Sequence, residues 1–173
     1  MKSIREIYKI GKGPSSSHTM GPERAAKHFK MTYPEADTFR VILYGSLSKT
    51  GVGHGTDRVL REVLYPMETE IVFSRENLVN SHPNTMDFFA YKDGNEIGTL
   101  RVESIGGGDI RVPGQTLLDS PDVYPENSFG EIADFCKWRY IDKLSDYVEL
   151  NEGEEIWEFL MEVWLTMKQA IAD

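Results

Sequence analysis

The sequence predicts an α+β fold in which a mixed or antiparallel sheet packs with helices. Three observations indicate this class. Apolar residues recur at three- and four-residue spacing over residues 20–31, which predicts an early helix. Two strand-like runs, 87–91 and 97–104, flank the turn sequence Lys92-Asp93-Gly94-Asn95. The final third returns to helical spacing, and an apolar helix is expected to close it.

Composition sets the class of protein and excludes several kinds of partner. The 173 residues are 40% hydrophobic, and 28 acidic against 19 basic residues give a net charge of −9. This balance fits a soluble globular protein and argues against a nucleic-acid partner. No apolar run is long enough for a membrane span, and Glu6 stands where a signal peptide would be apolar, so a cytoplasmic protein is expected. The single cysteine, Cys136, cannot form an internal disulfide or by itself hold a metal centre.

The first predicted helix follows a serine-rich segment, and the position of its first residue stays open. A cap near Thr19 or Gly21 is one possibility. A cap at Ser16 or Ser17, followed by a kink, is the other. Either choice leaves the serine-rich segment at the helix N-terminus.

A mostly buried strand is predicted next, over residues 39–44, because the run Phe-Arg-Val-Ile-Leu-Tyr is rich in β-forming residues. A glycine-rich loop is expected to follow this strand. A second helix is then predicted from about Thr56 to Leu64, with Gly55 or Thr56 as its cap and Asp57 in its first turn.

The remaining elements are the hairpin already described and two helices. The glycine run 106–108 is either an anion-binding nest or a bulge that ends a strand, and the bulge is favoured. Helices are predicted over residues 129–138 and 154–171. The last helix carries apolar groups over more than half of its circumference. It is therefore expected to pack against a second copy of the chain or against polypeptide beyond Asp173.

The first candidate site is the serine-rich segment itself. Four hydroxyl groups lie within five positions, at Ser15, Ser16, Ser17 and Thr19, beside the free backbone N–H groups of a helix start. Such a cluster suits a carboxylate or a phosphate, and His18 within it could donate a hydrogen bond or carry charge. The alternative is that the serines only cap a helix and that His18 faces solvent. Taken alone, the segment favours this alternative.

The second candidate site centres on His54, which stands among Gly51, Gly53 and Gly55. The spacing predicts an imidazole displayed on a loop with few side chains, and such freedom costs conformational entropy on folding. A histidine in this position could act as a general base, with Asp57 as a neighbour. A tight strand-to-helix turn explains the same residues equally well.

A third candidate is the segment His82-Pro83-Asn84-Thr85. Asn84 and Thr85 could orient a ligand or brace a catalytic loop. An Asx-type turn without any ligand accounts for the same sequence, and this interpretation is favoured locally.

Four segments together resemble the β domain of the iron-sulfur-dependent L-serine dehydratases. They are Gly13–Pro22; Gly45–Leu47 with Thr50-Gly51 and Gly53–Asp57; His82–Met86; and Ser104–Gly108. The resemblance implies deamination of serine to pyruvate and ammonia with a [4Fe-4S] cluster, whose cysteines lie in a separate α domain. It also implies a fold similar to the allosteric substrate-binding domain of certain phosphoglycerate dehydrogenases. The chain then divides into a β domain, residues 1–150, and a helix, residues 151–173, that leads into a missing α domain.

The same resemblance implies roles for individual residues. His54 becomes the candidate base, His18 a second catalytic residue, and the chain itself holds no metal. The implied substrate-binding residues are Ser15, Ser16, Ser17, Thr19, Thr56, Asp57 and Asn84. The implied partners are the α domain, L-serine or a similar small anion, and a second copy in a homodimer. The rival function is a regulatory module that binds a small-anion effector and has no catalytic residue.

Overall fold

The computed structural model describes residues 1–76, 78, 81–114 and 121–172. The chain forms two compact units. Gly11–Leu117 makes up the first, here called the sheet unit, and Met1–Ile10 with Leu118–Asp173 makes up the second, the helical unit. The predicted α+β class is confirmed. The division at residue 150 refers to a longer polypeptide and stays a prediction, as does the similarity to the phosphoglycerate dehydrogenase domain.

The described residues of the sheet unit form five strands and three helices. The strands are β1 Thr38–Leu43, β2 Glu68–Phe73, β3 Thr85–Lys92, β4 Asn95–Gly106 and β5 Asp109–Arg111. The helices are α1 Met20–Thr32, α2 Gly45–His54 and α3 Thr56–Leu64. The strands lie in the order β2-β1-β3-β4-β5, with β1 and β2 parallel and the other pairs antiparallel. The mixed sheet, α1, β1, the β3–β4 hairpin and α3 all agree with the sequence prediction.

The core lies on the face of the sheet that α1 and α3 cover. Along β1 the buried side chains alternate, at Phe39, Val41 and Leu43, as a half-buried strand requires. From α1, the ring of Phe29 lies 5.8 Å from that of Phe39 and 5.3 Å from that of Phe88. Helix α1 and the sheet are therefore joined by aromatic packing.

The glycine-rich loop predicted after β1 is wrong, because Gly45–His54 forms α2. Gly51 is buried in this helix, and a Cβ there would lie 3.3 Å from the Phe73 ring, so close packing explains it. Gly55 takes the left-handed conformation, with φ of 75°, and it separates α2 from α3. His54 therefore lies in the last turn of a helix, not on an open loop.

The glycine run 106–108 completes a bulge and a turn, as the favoured interpretation predicts. The β4–β5 register shifts between Ser104 and Gly106, and all three glycines have positive φ. The hairpin turn between β3 and β4 likewise places Asp93 and Gly94 at positive φ, 50° and 78°.

The helical unit contains a 3-10 helix, Ile4–Glu6, and three α-helices. These are α4 Phe129–Arg139, α5 Leu144–Glu152 and α6 Glu155–Ala172. The carboxylate of Glu152 accepts hydrogen bonds from the Ser3 hydroxyl at 2.7 Å, the Ile4 N–H at 2.7 Å and the Tyr124 hydroxyl at 2.9 Å. This carboxylate holds the first residues of the chain to the helices. The sequence predicted α4 and α6 but missed α5.

Helix α6 is confirmed as a helix, yet most of its apolar side chains are exposed. Ile156 and Val163 are its buried residues. Trp164 and Leu165 are each 56% exposed, and Ile171 is 86% exposed. Within the described ranges, no helix has the length and apolar character needed to cross a membrane.

Candidate functional site

The two histidines that the sequence singled out lie side by side in the sheet unit. The ring centroids of His18 and His54 are 4.7 Å apart, with an interplanar angle of 36°. His18 lies in the turn that precedes α1 and is only 8% exposed. His54 is half-buried at the end of α2. Two segments separated by about thirty-five positions in sequence therefore form one cluster, here called the histidine pair.

Hydroxyl groups hold both nitrogens of His18. Its Nδ1 lies 3.0 Å from the Ser15 Oγ and 3.1 Å from the Ser17 Oγ. Its Nε2 lies 3.1 Å from both the Ser46 Oγ and the Thr50 Oγ1. The Thr50 hydroxyl donates its proton to the Ser46 carbonyl at 3.0 Å, so it can only accept from His18. We infer that Nε2 carries the ring proton and that Nδ1 accepts from the serine hydroxyls.

His54 has the opposite tautomer. Its Nδ1 lies 2.9 Å from the Thr50 carbonyl oxygen, which can only accept, so Nδ1 carries the proton. The Nε2 of the neutral ring then holds a free lone pair, and none of the described residues forms a hydrogen bond to it. Thr50 thus contacts both rings, through its hydroxyl to His18 and through its carbonyl to His54. His54 is the member of the pair that can accept a proton.

Burial lowers the pKa of the His18 ring, and the nearby His54 lowers it further, while a contact with Ser46 acts in the opposite direction. The His18 ring is therefore held in its neutral form more strongly than a free histidine.

We expect His18 to remain neutral in the folded protein at a pH where a free histidine is half protonated. Because its pKa lies below the ordinary 6.5, the unfolded chain binds a proton that the folded chain does not, and the free energy of unfolding falls as pH decreases through 6.5. Ring-carbon NMR measures the titration, and denaturant unfolding measures the stability. His18→Gln removes this contribution to the pH dependence, whereas a His18 ring found protonated at pH 7 would contradict the account.

The hydroxyl groups of Thr56 and Thr19, which were predicted to bind substrate, donate hydrogen bonds to backbone carbonyl oxygens. The Thr56 hydroxyl is buried and donates to the His18 carbonyl at 2.7 Å. The buried Thr19 hydroxyl donates to the Ser15 carbonyl at 2.7 Å. These contacts fix the turn that carries His18, so the structure places both threonines where they position the imidazole.

The remaining predicted substrate-binding residues differ in their contacts and burial. Ser15 and Ser17 contact His18, whereas Ser16 accepts a hydrogen bond at its carbonyl from Gly21 N–H at 2.9 Å. Asp57 is half-buried in the first turn of α3. Asn84 lies just before β3, and its buried Oδ1 has no hydrogen-bond partner among the described residues. Contact with substrate stays a prediction for all of these residues.

A pocket of about 410 Å³ opens beside the histidine pair. Its wall includes Ser46 and Thr50, the two residues of α2 whose hydroxyls contact His18. The full lining consists of Tyr44, Gly45, Ser46, Lys49, Thr50, Leu78, Ser81, His82 and Pro83. The sequence interpretation did not assign Ser46, Lys49 or Thr50 to a site. Their spacing of three and four residues would have placed them on one helix face, had residues 45–54 been recognised as a helix.

The residues of this chain do not fit an iron-sulfur cluster. Cys136, half-buried in α4, is the one cysteine in the sequence. Among the residues that the structure describes, no group of three or more His, Cys, Asp or Glu side chains is arranged to hold a metal ion. Any cluster that works with this chain must therefore be held by other polypeptide.

Comparison with known proteins gives a consistent result. The family model described as serine dehydratase beta chain matches residues 3–63. L-serine dehydratase 1 of Escherichia coli is 29% identical over 99% of this chain, and L-serine dehydratase of Streptomyces coelicolor is 26% identical over 98%. L-serine dehydratase of Mycobacterium tuberculosis is 31% identical over 78% of the chain.

The chain spans about half the length of the curated relatives it matches, with 48% of the Escherichia coli protein and 49% of the Streptomyces protein covered. The family match begins at residue 3 and includes both histidines of the pair. The chain is therefore a relative of the L-serine dehydratases, and its residues 3–63 match the beta chain of that family.

Proposed function

We propose that this chain is the β part of an L-serine ammonia-lyase, which converts L-serine to pyruvate and ammonia together with an iron-sulfur-bearing α part. The observation that carries the proposal is the histidine pair, in which the free Nε2 of His54 lies beside a ring held neutral. The names of the relatives suggest the substrate, and the geometry of the pair supports the role proposed for this chain, which is to hold substrate and to accept a proton.

The proposed proton acceptor is the Nε2 of His54. It takes the proton from Cα of serine, and the β-hydroxyl leaves as hydroxide, which takes up one proton to become water and so balances the proton removed. The resulting enamine tautomerises to an imine, which water hydrolyses to pyruvate and ammonia. The Nδ1–H of the ring stays bonded to the Thr50 carbonyl at 2.9 Å, which favours the imidazolium that forms. His54 is also the last residue of α2, where the helix dipole favours a positive charge.

His18 supports this base in two ways. Its hydrogen bonds to Ser15, Ser17, Ser46 and Thr50 fix its ring, and its lowered pKa keeps it from competing for the proton. Because Thr50 contacts both rings, the position of the His18 ring constrains the position of the His54 ring.

The [4Fe-4S] cluster belongs to the α part in this proposal, because the residues of this chain do not fit it. The expected contribution of the cluster is Lewis acidity toward the substrate.

The exposed face of α6 is the proposed contact for the α part. Trp157, Met161, Trp164 and Ile171 recur at spacings of four, three and seven residues, a seam typical of helix-to-helix packing. These side chains are 39 to 86% exposed. The matched relatives contain about as much chain again, which is the polypeptide proposed to cover this seam. The homodimer expected from the sequence remains a second proposal for the same face.

The direct test is to combine the purified chain with the iron-sulfur part from the same source and to measure pyruvate formed from L-serine. We expect turnover only when both are present. The chain alone, freed of iron, should release no pyruvate. Full turnover by the iron-sulfur part alone, or pyruvate from the iron-free chain, would contradict the proposal.

A regulatory module is the second candidate function, and the pocket beside α2 favours it because it suits a small anion without any metal. Turnover that persists without the histidine pair, together with a lost response to a small anion, would support this candidate over the first.

A further inference from the structure

We propose that the pocket beside the histidine pair binds the carboxylate of the substrate, with Lys49 as the charge partner and the Nε2–H of His82 as a hydrogen-bond donor. This inference rests on the proposed function and specifies which residues recognise the substrate. The sequence analysis did not assign Lys49 to a site, and it named His82 only as part of a segment for which a turn was favoured.

The charge of the pocket lining differs from that of the chain. The sequence holds 28 acidic residues and a net charge of −9, yet none of the described residues that line the pocket is Asp or Glu. Lys49 lies in this lining, its side chain is exposed, and it forms no ion pair within the described part of the chain. A small anion would therefore meet a positive group in a protein that otherwise repels it.

The orientation of His82 follows from its hydrogen bond to the backbone. Its Nδ1 accepts from the Asn84 N–H at 3.1 Å, so this nitrogen carries no proton. The proton of the ring is then on Nε2, which makes that atom a donor. The loop is held on both sides, because the Thr85 hydroxyl donates to the His82 carbonyl at 2.6 Å and the Glu103 carboxylate accepts from the His82 N–H at 3.4 Å.

Two carboxylate groups near the pocket, those of Asp87 and Glu103, are paired with arginines. Asp87 accepts the Tyr44 hydroxyl at 3.0 Å and a bidentate pair of 2.6 Å hydrogen bonds from Arg101. The Oε2 of Glu103 contacts two nitrogens of Arg111, at 2.7 Å and 2.6 Å. These ion pairs lessen the repulsion that the two carboxylates would otherwise exert on a bound anion.

Lys49 and His82 stand on two segments that are tied together. The Ser46 N–H donates to the Pro83 carbonyl at 2.7 Å, which joins the first turn of α2 to the His82 loop. The volume of about 410 Å³ lies in the range typical of small-molecule sites, roughly 300 to 1,000 Å³. The serine carboxylate would bind between the two segments, with its Cα toward the histidine pair.

The test compares L-serine with L-serinamide, which keeps the amine and the hydroxyl but lacks the carboxylate. Binding to the full chain is followed by NMR of the histidine rings. We expect Lys49→Met to weaken L-serine binding at least about tenfold and to leave L-serinamide binding unchanged, since only the carboxylate meets the ammonium group. Lys92→Met, at the exposed end of β3, is the matched control and should change neither ligand.

His82 is tested by two substitutions. His82→Gln keeps a donor N–H on its side chain and should retain part of the affinity for L-serine, whereas His82→Leu should lose it. Equal effects of Lys49→Met on both ligands, or no effect on either, would overturn the proposal.

If the chain alone binds neither ligand, the kinetic constants of the combined enzyme test the proposal. There the proposal requires that Lys49→Met raise KM for L-serine with kcat largely kept, and an unchanged KM would refute it. The result of this binding test does not depend on the proposed role of His54 as the base. Carboxylate-dependent binding together with full turnover by a His54 variant would uphold this pocket and reject the base.

Discussion

Replacing His54 by alanine should lower turnover of L-serine by the combined enzyme about 100- to 10,000-fold, the usual contribution of a general base. The substitution removes the Nε2 lone pair that accepts the Cα proton. It leaves α2 intact, because alanine is a strong helix former. L-serine binding and the absorption spectrum of the cluster should both be retained. Steady-state pyruvate release, measured beside calorimetric binding, checks the two expectations together.

The controls separate a base from a structural residue. His54→Gln keeps a polar side chain of similar size but no base, so it should lose as much activity as alanine. His28→Ala removes an exposed histidine from α1 and should keep full turnover. Normal turnover of His54→Ala with a lost response to a small anion would favour the regulatory function. If turnover is lost in His18→Ala but kept in His54→Ala, His18 and not His54 is the base.

Replacing Gly45 by alanine should destabilise the sheet unit by at least about 2 kcal/mol, which is a large part of the stability of a small domain. Gly45 has φ of 53°, and a Cβ there would lie 2.4 Å from the Pro83 carbonyl oxygen. That oxygen belongs to the backbone and accepts the Ser46 N–H, so it cannot move aside without breaking the link between α2 and the His82 loop. Denaturant unfolding gives the change in free energy.

The matched control is Gly53→Ala in the same helix. Gly53 has no left-handed φ, and a Cβ there meets no atom within 4 Å. Alanine should therefore stabilise the chain, by about 0.5 to 1 kcal/mol, through its higher helix propensity. Equal stabilities for the two variants would show that the contact between Gly45 and Pro83 does not hold the pocket together.

The elements with a clear periodicity were predictable from sequence. Helix α1 is marked by Ala25, Ala26 and Phe29 at three- and four-residue spacing, and the β3–β4 hairpin is marked by its Asp93-Gly94 turn. These signals are local, and the structure confirms both elements. The early helix and the hairpin therefore required no knowledge of tertiary packing.

Helix α2 could not be recognised, because Gly45, Gly51 and Gly53 lower its intrinsic helix propensity. Tertiary packing decides the outcome, with Leu47 buried in the core and Gly51 packed against Phe73. The mistake had a consequence for the site. A loop gave no reason to place Ser46 and Thr50 on one face, so the hydroxyls that bind His18 were not assigned.

The roles of individual hydroxyl groups could not be predicted from the sequence either. Thr19 and Thr56 were predicted to bind substrate because they stand in the right motifs. In the structure both donate to backbone carbonyls that shape the His18 turn. A hydroxyl can donate to a ligand or to a nearby carbonyl, and only the three-dimensional arrangement distinguishes the two.

Chemical rescue of the His54→Ala variant tests the proton-accepting role most directly. Added imidazole would occupy the space left by the side chain and supply the missing base. The account predicts that turnover of L-serine by the combined enzyme returns as imidazole is added, and that more basic imidazoles restore it further. Turnover of the variant that equals the unmodified enzyme before any imidazole is added would contradict the assignment of His54 as the base.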